Sequence, residues 1–272
     1  MAIVKSLQKE ENVGRAFSKQ SVNYDRDDSQ NIVLLDMRKQ VFDQVEKFIK
    51  SKGSILELNA GTGIDALNFV QHGHQVHATD LSDGMLFQIK EKIRIHQLQN
   101  KFTCQHLSYD QLDQLNGNKF DFVFSNFGGL NCIDDLSKVT KHLPAILNPG
   151  GYVTWVIMPP VCLWELFGIF KGHGKKAFRR FSKGGVIAHV EGEYFRTYYF
   201  TLSQIKKAFG SRFQFISSNG LCAISPPPSK VNFPIKYPAL YKILRKIDSI
   251  LRSHYPFNRW ADHIIVTVKF TG

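Results

Sequence analysis

The sequence has no long uninterrupted apolar run. Its most apolar stretch, residues 152–170, is broken by Pro159-Pro160 and carries Glu165, so no membrane-spanning helix is expected. The opening MAIVKSLQKEENVGRAFSKQ is too polar for a secretory leader. Cysteine is scarce: Cys104, Cys132, Cys162 and Cys222 form no CxxC pair and no Cys/His spacing, which argues against a structural zinc site and a disulfide framework. No cluster of Asp, Glu and His has ligand spacing, so no metal is expected. No repeat or low-complexity tract occurs, which excludes solenoids and disordered tails. A reducing cytoplasm is the expected setting.

What is present is globular: 272 residues, 43% hydrophobic and 12% aromatic, enough to bury one large core or two small ones. The formal charge of +12 is unevenly placed. Residues 160–272 hold 18 Lys and Arg against 5 Asp and Glu, while residues 1–159 hold 17 against 18. A basic C-terminal half is either a solubility device or a surface for something acidic: an anionic substrate, a phospholipid surface or a nucleic acid.

Residues 29–51 place Ile32, Leu35, Val41, Val45, Phe48 and Ile49 at mostly three- and four-residue steps, which predicts an amphipathic helix. A strand at 54–58 then runs into the small-residue turn Asn59-Ala60-Gly61-Thr62-Gly63, and Ala66, Leu67, Phe69 and Val70 predict the next helix. Strands at 74–80, 101–106, 120–125 and 152–158 alternate with helices at 82–97 and 136–147, with a turn at 148–151. After residue 158 the alternation lapses, resumes with a helix at 201–209 and a strand at 213–218, lapses again, and ends in a strand at 262–270. Such alternation predicts an α/β fold with a doubly wound parallel sheet. The irregular segments 159–200 and 225–260 leave the sheet where ligands of open α/β sheets bind, and are expected to pack together as a cap.

The turn at 59–63 lets backbone approach a ligand, and the helix after it offers unpaired N–H groups to a carboxylate or phosphate. It lacks the third glycine of a dinucleotide fingerprint and any Gly-Lys-Ser/Thr. Asp80 closes the next strand about twenty residues on, where a carboxylate accepts both hydroxyls of a ribose. The pair points to an adenosine ligand.

In these residues the chain resembles the class I S-adenosylmethionine-dependent methyltransferases, of the small-molecule, type 11-like kind. Glu57-Leu58-Asn59-Ala60-Gly61-Thr62-Gly63 is similar to the family's E/D-x-G-x-G-x-G, with Asn59 in place of the first glycine. Asp80-Leu81-Ser82-Asp83-Gly84-Met85-Leu86 resembles D-x-S-x-x-M-L, residues 120–126 (FDFVFSN) its fourth-strand motif, and Leu147-Asn148-Pro149-Gly150-Gly151 its L-x-P-G-G turn. The resemblance covers roughly residues 20–158 and rests on four motifs in order. The resemblance implies a seven-stranded Rossmann-like sheet with a cap made of two insertions, and 213–218 and 264–270 as the terminal antiparallel pair. It implies S-adenosylmethionine as cofactor, S-adenosylhomocysteine as product, and no metal. Domain organisation follows: 1–50 a helical segment closing over the cofactor, 51–158 the binding core, 159–200 a cap insertion, 201–224 core, 225–260 a second cap insertion and 261–272 the last core strand.

Carried over by residue, the resemblance puts Gly61 and Gly63 near the methionine moiety with Ala60 in the same loop, Asp80 on the ribose, Leu81 and Met85 on the adenine, and Asn126 and Phe127 at the methyl-transfer mouth. Glu57 either supports the loop or meets the ligand ammonium through water. Asn59 tolerates the backbone angle glycine often takes there. Where the family often has an acid for the adenine amino group, this chain offers Ser108 or Tyr109. Tyr24-Asp25 resembles a Tyr-Asp pair that closes over the cofactor, and Arg38 would face its carboxylate; otherwise both are surface residues.

Methyl transfer is an in-line displacement, so the protein must mainly hold the acceptor opposite the methyl and, where needed, take a proton. No N/D-P-P-Y/F signature follows the fourth strand, and Cys132, six residues past Asn126, is expected to be a small buried residue. The acceptor site is expected from the two cap segments, with Trp164, Arg196 and Tyr199 as binding residues, together with Asn131 from the segment after the fourth strand. Arg196 among tyrosines suits a carboxylate or phenolate, while Tyr198 and Tyr199 would otherwise face the core. Tyr198, His173 and His189 are the catalytic candidates, the histidines as general bases or else surface residues. The basic helix near 238–252 either packs on the body or forms a lid touching a membrane. The expected reaction is methylation, oxygen favoured over nitrogen, of a small aromatic or lipophilic anionic acceptor; the alternative is a nucleic-acid methyltransferase using the basic half. No oligomeric state follows from the pattern.

Overall fold

The computed structural model describes residues 2–49, 52–115, 117–172 and 174–272. Five parallel strands, β1 (Ser54–Leu58), β2 (Gln75–Asp80), β3 (Phe102–His106), β4 (Phe120–Ser125) and β5 (Leu147–Ile157), share a sheet with β8 (Phe213–Leu221) and β9 (His263–Phe270) in the order β3-β2-β1-β4-β5-β9-β8. β5–β9 and β8–β9 are antiparallel. β1 is buried from Ile55 to Leu58 because helices cover both faces of a parallel sheet. The chain steps outward from β1 to β3 and then returns to β4 on the other side of β1. The strand order therefore reverses between β1 and β4, where Leu58 stands opposite Ser125, and a ligand crevice opens beyond that point.

Two apolar layers hold the helices on. Phe69, Phe122, Phe124 and Met37 belong to one, and Trp155, in contact with Phe209 at 4.5 Å between ring centres, belongs to the other. Where a helix is capped, a side-chain oxygen satisfies its first N–H groups. Asn31 accepts from Val33 and Leu34 to open α2 (Ile32–Val45). α3 (Ile64–Gln71) follows the glycine turn, and Ser82 accepts from Met85 to open α4 (Asp83–Ile95).

Several expected elements differ. The helix expected over 29–51 is preceded by α1 (Ala2–Gln30), from which Asn31, extended at φ −94°, separates α2. The helix expected over 136–147 is two short ones, α5 (Ser137–Thr140) and α6 (Leu143–Ile146), because Pro144 in the first turn of α6 has no N–H to continue a helix. The turn at 148–151 lies inside β5, which begins at Leu147.

Segment 159–200 forms α7 (Leu163–Leu166), α8 (Gly174–Ala177) and a hairpin of β6 (Val186–Val190) and β7 (Glu193–Thr197). After it, the core helix α9 (Leu202–Phe209) is opened by a capping box of Thr201 and Gln204. The second insertion holds α10 (Phe233–Lys236) and α11 (Pro238–Leu251). The two insertions touch each other, at Trp164 with Phe233 and by a backbone bridge between Val161 and Trp260, but each lies on a different helix of the body. The hairpin lies on α1, through Lys19 to Glu193 at 2.9 Å and Phe17 to Phe195. α11 lies on α2, where Tyr241 donates to Asp36 at 2.6 Å and Arg245 pairs with the same carboxylate at 2.7 Å. They meet at Trp164, which donates to Ile224 O at 2.9 Å and stands edge-on to Phe233.

α1, α2 and α3 are tied by one buried cation. Arg38 of α2 donates to Asp28 of α1 at 2.7 Å and to Asp65 of α3, and all three side chains are less than a tenth exposed. Replacing Arg38 by Met would leave two carboxylates buried without their cation. We expect the unfolding free energy to fall by about 3–5 kcal/mol, read by urea denaturation followed by circular dichroism. A loss under about 1 kcal/mol would show that the pair is solvated rather than buried.

Candidate functional site

At the reversal point lies a cavity of about 280 Å³. Its floor comes from the ends of β1, β2 and β4: Asn59, Gly61, Asp80, Leu81, Asn126 and Phe127. Asp80 is fixed by backbone, one carboxylate oxygen accepting Gly61 N at 2.9 Å and the other Ser82 N at 2.8 Å. Burial raises its pKa from 3.8 to about 6 even though the N–H groups of Ser82, Gly61 and Leu81 pull it down. Gly61 has φ +57°, with open space where a side chain would begin. Asn59, at φ +46°, takes the left-handed conformation in which Asn is enriched among non-glycine residues. Its amide then does what a glycine could not: it accepts from Ser125 Oγ at 2.7 Å and donates to Asn126 O at 3.3 Å, joining β1 to β4 across the crevice.

Asn126 is oriented from behind. Its Nδ2 donates to Asp65 at 2.8 Å, and its Oδ1 accepts the N–H of Phe127 at 2.9 Å. Phe127 sits at φ +45° with the Arg38 guanidinium 4.8 Å over its ring. Arg38 therefore does not face the cavity: its charge is taken by Asp28 and Asp65, and it acts on the mouth through Asp65. Tyr24 lines the cavity, and burial, opposed by Arg38, pushes its phenol up to about 12, so it is a neutral hydrogen-bonding group. Asp25 accepts from Thr62 Oγ1 and Lys92 Nζ and latches α1 over the loop.

Four loop residues assigned to the cofactor are not on the cavity wall. Gly63, at φ +78°, is needed for packing, since a Cβ there would meet Ile89 at 2.9 Å and Phe102 at 3.2 Å. Ala60 donates to Thr79 O. Glu57 lies buried beneath the loop, within reach of the Ala66 N–H; burial first, then Asp65, raises its pKa well above the carboxylate range, favouring the neutral acid. Ser108 is buried with an unpartnered hydroxyl, and its neighbours Leu107 and Tyr109 face the cavity instead.

The expected acceptor residues are placed elsewhere. In the β6–β7 hairpin alternate side chains face opposite ways. Ala188, Val190, Phe195 and Thr197 line the cavity, while His189 and Tyr194 stack on each other on the outside, 4.4 Å apart, and Arg196 donates outward to Gly184 O. Asn131 is fully buried and clamps the hairpin to β5: it donates to Met158 O and Tyr198 O and accepts Met158 N. Tyr198 gives its N–H to Asn131 O and packs against the core. Tyr199 lies under Arg180, and Trp164 is held by Ile224 and Phe233. His173 lies outside the described residues. No residue of 225–260 is among the described lining residues.

Sequence reasoning missed Val13 and Phe17 of α1, Leu107, Gly128, Gly129, Met158 and the inward hairpin residues, and took Cys132, which lines the cavity, for a packing residue. The signal for α1 was present, because Val13, Phe17, Ser21, Tyr24 and Asp28 recur at three- and four-residue steps.

Cys162, Glu165 and Asp262 converge, with one ligand atom of each within 4.8 Å of the others. Arg180 already holds that position, at 2.8 Å from Glu165 and 2.9 Å from Asp262. Burial alone would raise Asp262, but His263 and Arg180 keep it far below the carboxylate range. With Arg179 also on Glu165 at 2.7 Å, two guanidiniums balance the two carboxylates of the cluster.

A family described as "Methyltransferase domain" matches residues 55–151, which run from β1 into β5 and include Asp80 and Asn126. An uncharacterized methyltransferase of Schizosaccharomyces pombe is 30% identical over 114 residues, 39% of each chain. A demethylmenaquinone methyltransferase of Leptospira interrogans is 28% identical over 142 residues, 50% of this chain and 55% of that one. The chain thus spans about two fifths to a half of the length of these curated relatives. Among solved structures, a SAM-dependent methyltransferase from Methanosarcina mazei superposes with a TM-score of 0.57 at 14% identity, covering 84% of this chain and 96% of that one, a likeness of fold. With the motifs at 57–63 and 80–86 folded about one crevice, residues 55–151 are a methyltransferase domain by that family match, and the fold around them is similar to that of S-adenosylmethionine-dependent methyltransferases.

Proposed function

We propose that the protein binds S-adenosylmethionine at Asp80 and methylates a small, lipophilic, uncharged acceptor, on oxygen rather than nitrogen. The observation that carries this is a backbone-fixed carboxylate on a cavity whose described lining residues include no Lys, Arg or His. The floor fits the cofactor: Asp80 for the ribose hydroxyls, Leu81, Met85 and Leu107 as an apolar slot for the adenine, and Gly61 with clear space above its backbone. When bound, S-adenosylmethionine supplies an electrophilic methyl on a sulfonium.

The chain's own work is then positioning and exclusion of water. Phe17 and Phe195, 5.8 Å apart between ring centres, close the cavity between α1 and the hairpin. Tyr24 and Tyr109, both raised chiefly by burial, offer neutral hydroxyls that orient an acceptor by hydrogen bonds. An amine would enter such a cavity as a cation or lose its proton at a cost, whereas a hydroxyl enters neutral. The described lining offers no histidine to take the acceptor's proton, so that proton would pass to solvent as the oxygen gains the methyl. The anionic acceptor expected from the sequence relied on Arg196, which points away.

Calorimetric titration of ligand-stripped protein with S-adenosylmethionine and S-adenosylhomocysteine tests the cofactor, and a radiolabelled methyl-transfer screen over neutral phenols, hydroxy acids, lipid extract and bulk RNA tests the acceptor. Micromolar binding and label in neutral, lipid-soluble product are expected; label in RNA or hydroxy acids would overturn the acceptor class. Asp80→Ala removes a charged acceptor of ribose hydroxyls and should weaken cofactor binding by about 10- to 100-fold, with the thermal melt as control for folding.

The ionised Asp80 is the binding form. Affinity should be level above about pH 7 and fall by up to about tenfold per unit as pH drops through 6. Titrations at pH 5 to 8 read this directly, and a flat profile would remove Asp80 from the site. Phe195→Ala should raise the acceptor KM by about tenfold or more while cofactor affinity stays within about twofold.

A further inference from the structure

The second insertion carries a surface that the cavity does not use. Residues 225–260 contain seven Lys and Arg against one acid, Asp248. That acid is buried, accepting the N–H groups of Ile224 at 2.7 Å and Ser225 at 2.9 Å, so it offsets nothing outside. Arg245 is paired with Asp36, and Arg252 reaches Gln40. Among the described residues no carboxylate pairs with Lys236, Lys242 or Lys246.

Beside these lysines lie large aliphatic side chains in the open. Ile235 is 68% exposed, Ile243 56% and Ile250 60%, with Leu240 at 45%. α11 explains how. Its inner face buries Tyr241 and Asp248, seven residues apart, and turns Leu240, Ile243 and Ile250 outward at steps of three and seven. Lys242 and Lys246 flank that stripe on the side away from the body, and α10 adds Ile235 and Lys236 at its start. Tyr255 and Trp260, in ring contact at 6.1 Å, lie exposed beyond its end. No described helix is long and apolar enough to cross a membrane, so contact with lipid through this face would be peripheral.

We propose that the outward face of α10 and α11 docks on an anionic phospholipid bilayer, with Ile235, Leu240, Ile243 and Ile250 entering the acyl boundary and Lys236, Lys242 and Lys246 meeting lipid phosphates. Charge complementarity selects an anionic partner, and the aliphatic stripe selects a lipid among anionic partners. A nucleic acid gains from cations and stacking rings but not from four branched aliphatic chains. An apolar stripe flanked by lysines at an interface gains from both terms at once.

The test is sedimentation of the full chain with vesicles of phosphatidylcholine alone and of phosphatidylcholine mixed with phosphatidylglycerol, with bulk RNA as competitor. Binding to the mixed vesicles is expected, weaker without phosphatidylglycerol and falling with salt. Lys242→Gln and Lys246→Gln should each weaken it about fivefold. Ile243→Ser with Ile250→Ser, at unchanged charge, should weaken it roughly tenfold or more, while the thermal melt and S-adenosylmethionine titration stay as in the parent protein. Failure to sediment with the mixed vesicles, or sedimentation indifferent to the serine pair, overturns the proposal. RNA displacing the vesicles with the serine pair as effective as the parent assigns the face to nucleic acid and equally overturns it. Cofactor binding is read separately, so its absence would remove the proposed reaction and leave the vesicle result standing.

Discussion

A guanidinium buried between two carboxylates sets the geometry on which the site depends. Arg38 joins the end of α1, through Asp28, to the start of α3, through Asp65, and lies over the ring of Phe127. The second oxygen of Asp65 holds Asn126, whose own oxygen holds the N–H of Phe127. The wall that α1 contributes and the mouth at the end of β4 are thus fixed by one charge-paired unit. Buried ion pairs give little net stability over well-packed apolar groups, and their better-attested use is to specify one arrangement. Here that arrangement is the position of α1 over the crevice, reinforced at the other side of the loop by Asp25 with Thr62 and Lys92.

The cofactor half of the site was legible because it is local. A strand that ends in small residues and opens a helix must turn within a few residues, and a second strand ending in an acid about twenty residues later must stand beside it in a parallel sheet. Gly61 and Asp80 were read this way, Leu81, Met85, Asn126 and Phe127 followed from the family resemblance, and all six line the cavity. Asn59 was read as a tolerated backbone angle, but its amide bridge to Ser125 and Asn126 depends on the register of β1 with β4, which is a tertiary fact. Gly63 and Glu57 show the converse. Both belong to the motif, yet one is required by Ile89 and Phe102 and the other lies beneath the loop.

The acceptor half was not legible because its residues depend on which way a short hairpin faces. β6 and β7 alternate, but both phases contain apolar residues: Val186, Ala188, Val190 and Phe195 on one, Ile187 and Tyr194 on the other. Period two tells that the phases differ and not which is inward. The choice is made by α1, whose Phe17 takes Phe195 while Lys19 reaches Glu193 at the strand's start. Arg196, His189 and Tyr194 then fall outside together, so one decision of phase misplaced the whole polar constellation. Asn131 was expected to bind the substrate, but full burial with three backbone partners makes it a clamp.

The excess of positive charge carries a related lesson. A net charge of +12 concentrated in residues 160–272 suggests an anionic acceptor, yet no described cation of that half lines the cavity. Arg180 and Arg179 bind Glu165, Arg180 also binds Asp262, Arg245 binds Asp36, and Lys236, Lys242 and Lys246 face outward beside bare aliphatic side chains. The unpaired lysines of the second insertion thus lie on its surface, and the described lining of the cavity carries no cation. For the lipophilic acceptor and the bilayer contact proposed above, the two would serve one role. A lipophilic molecule partitions into bilayers, so an uncharged cavity gains little from steering through water and more from residence where the molecule is concentrated.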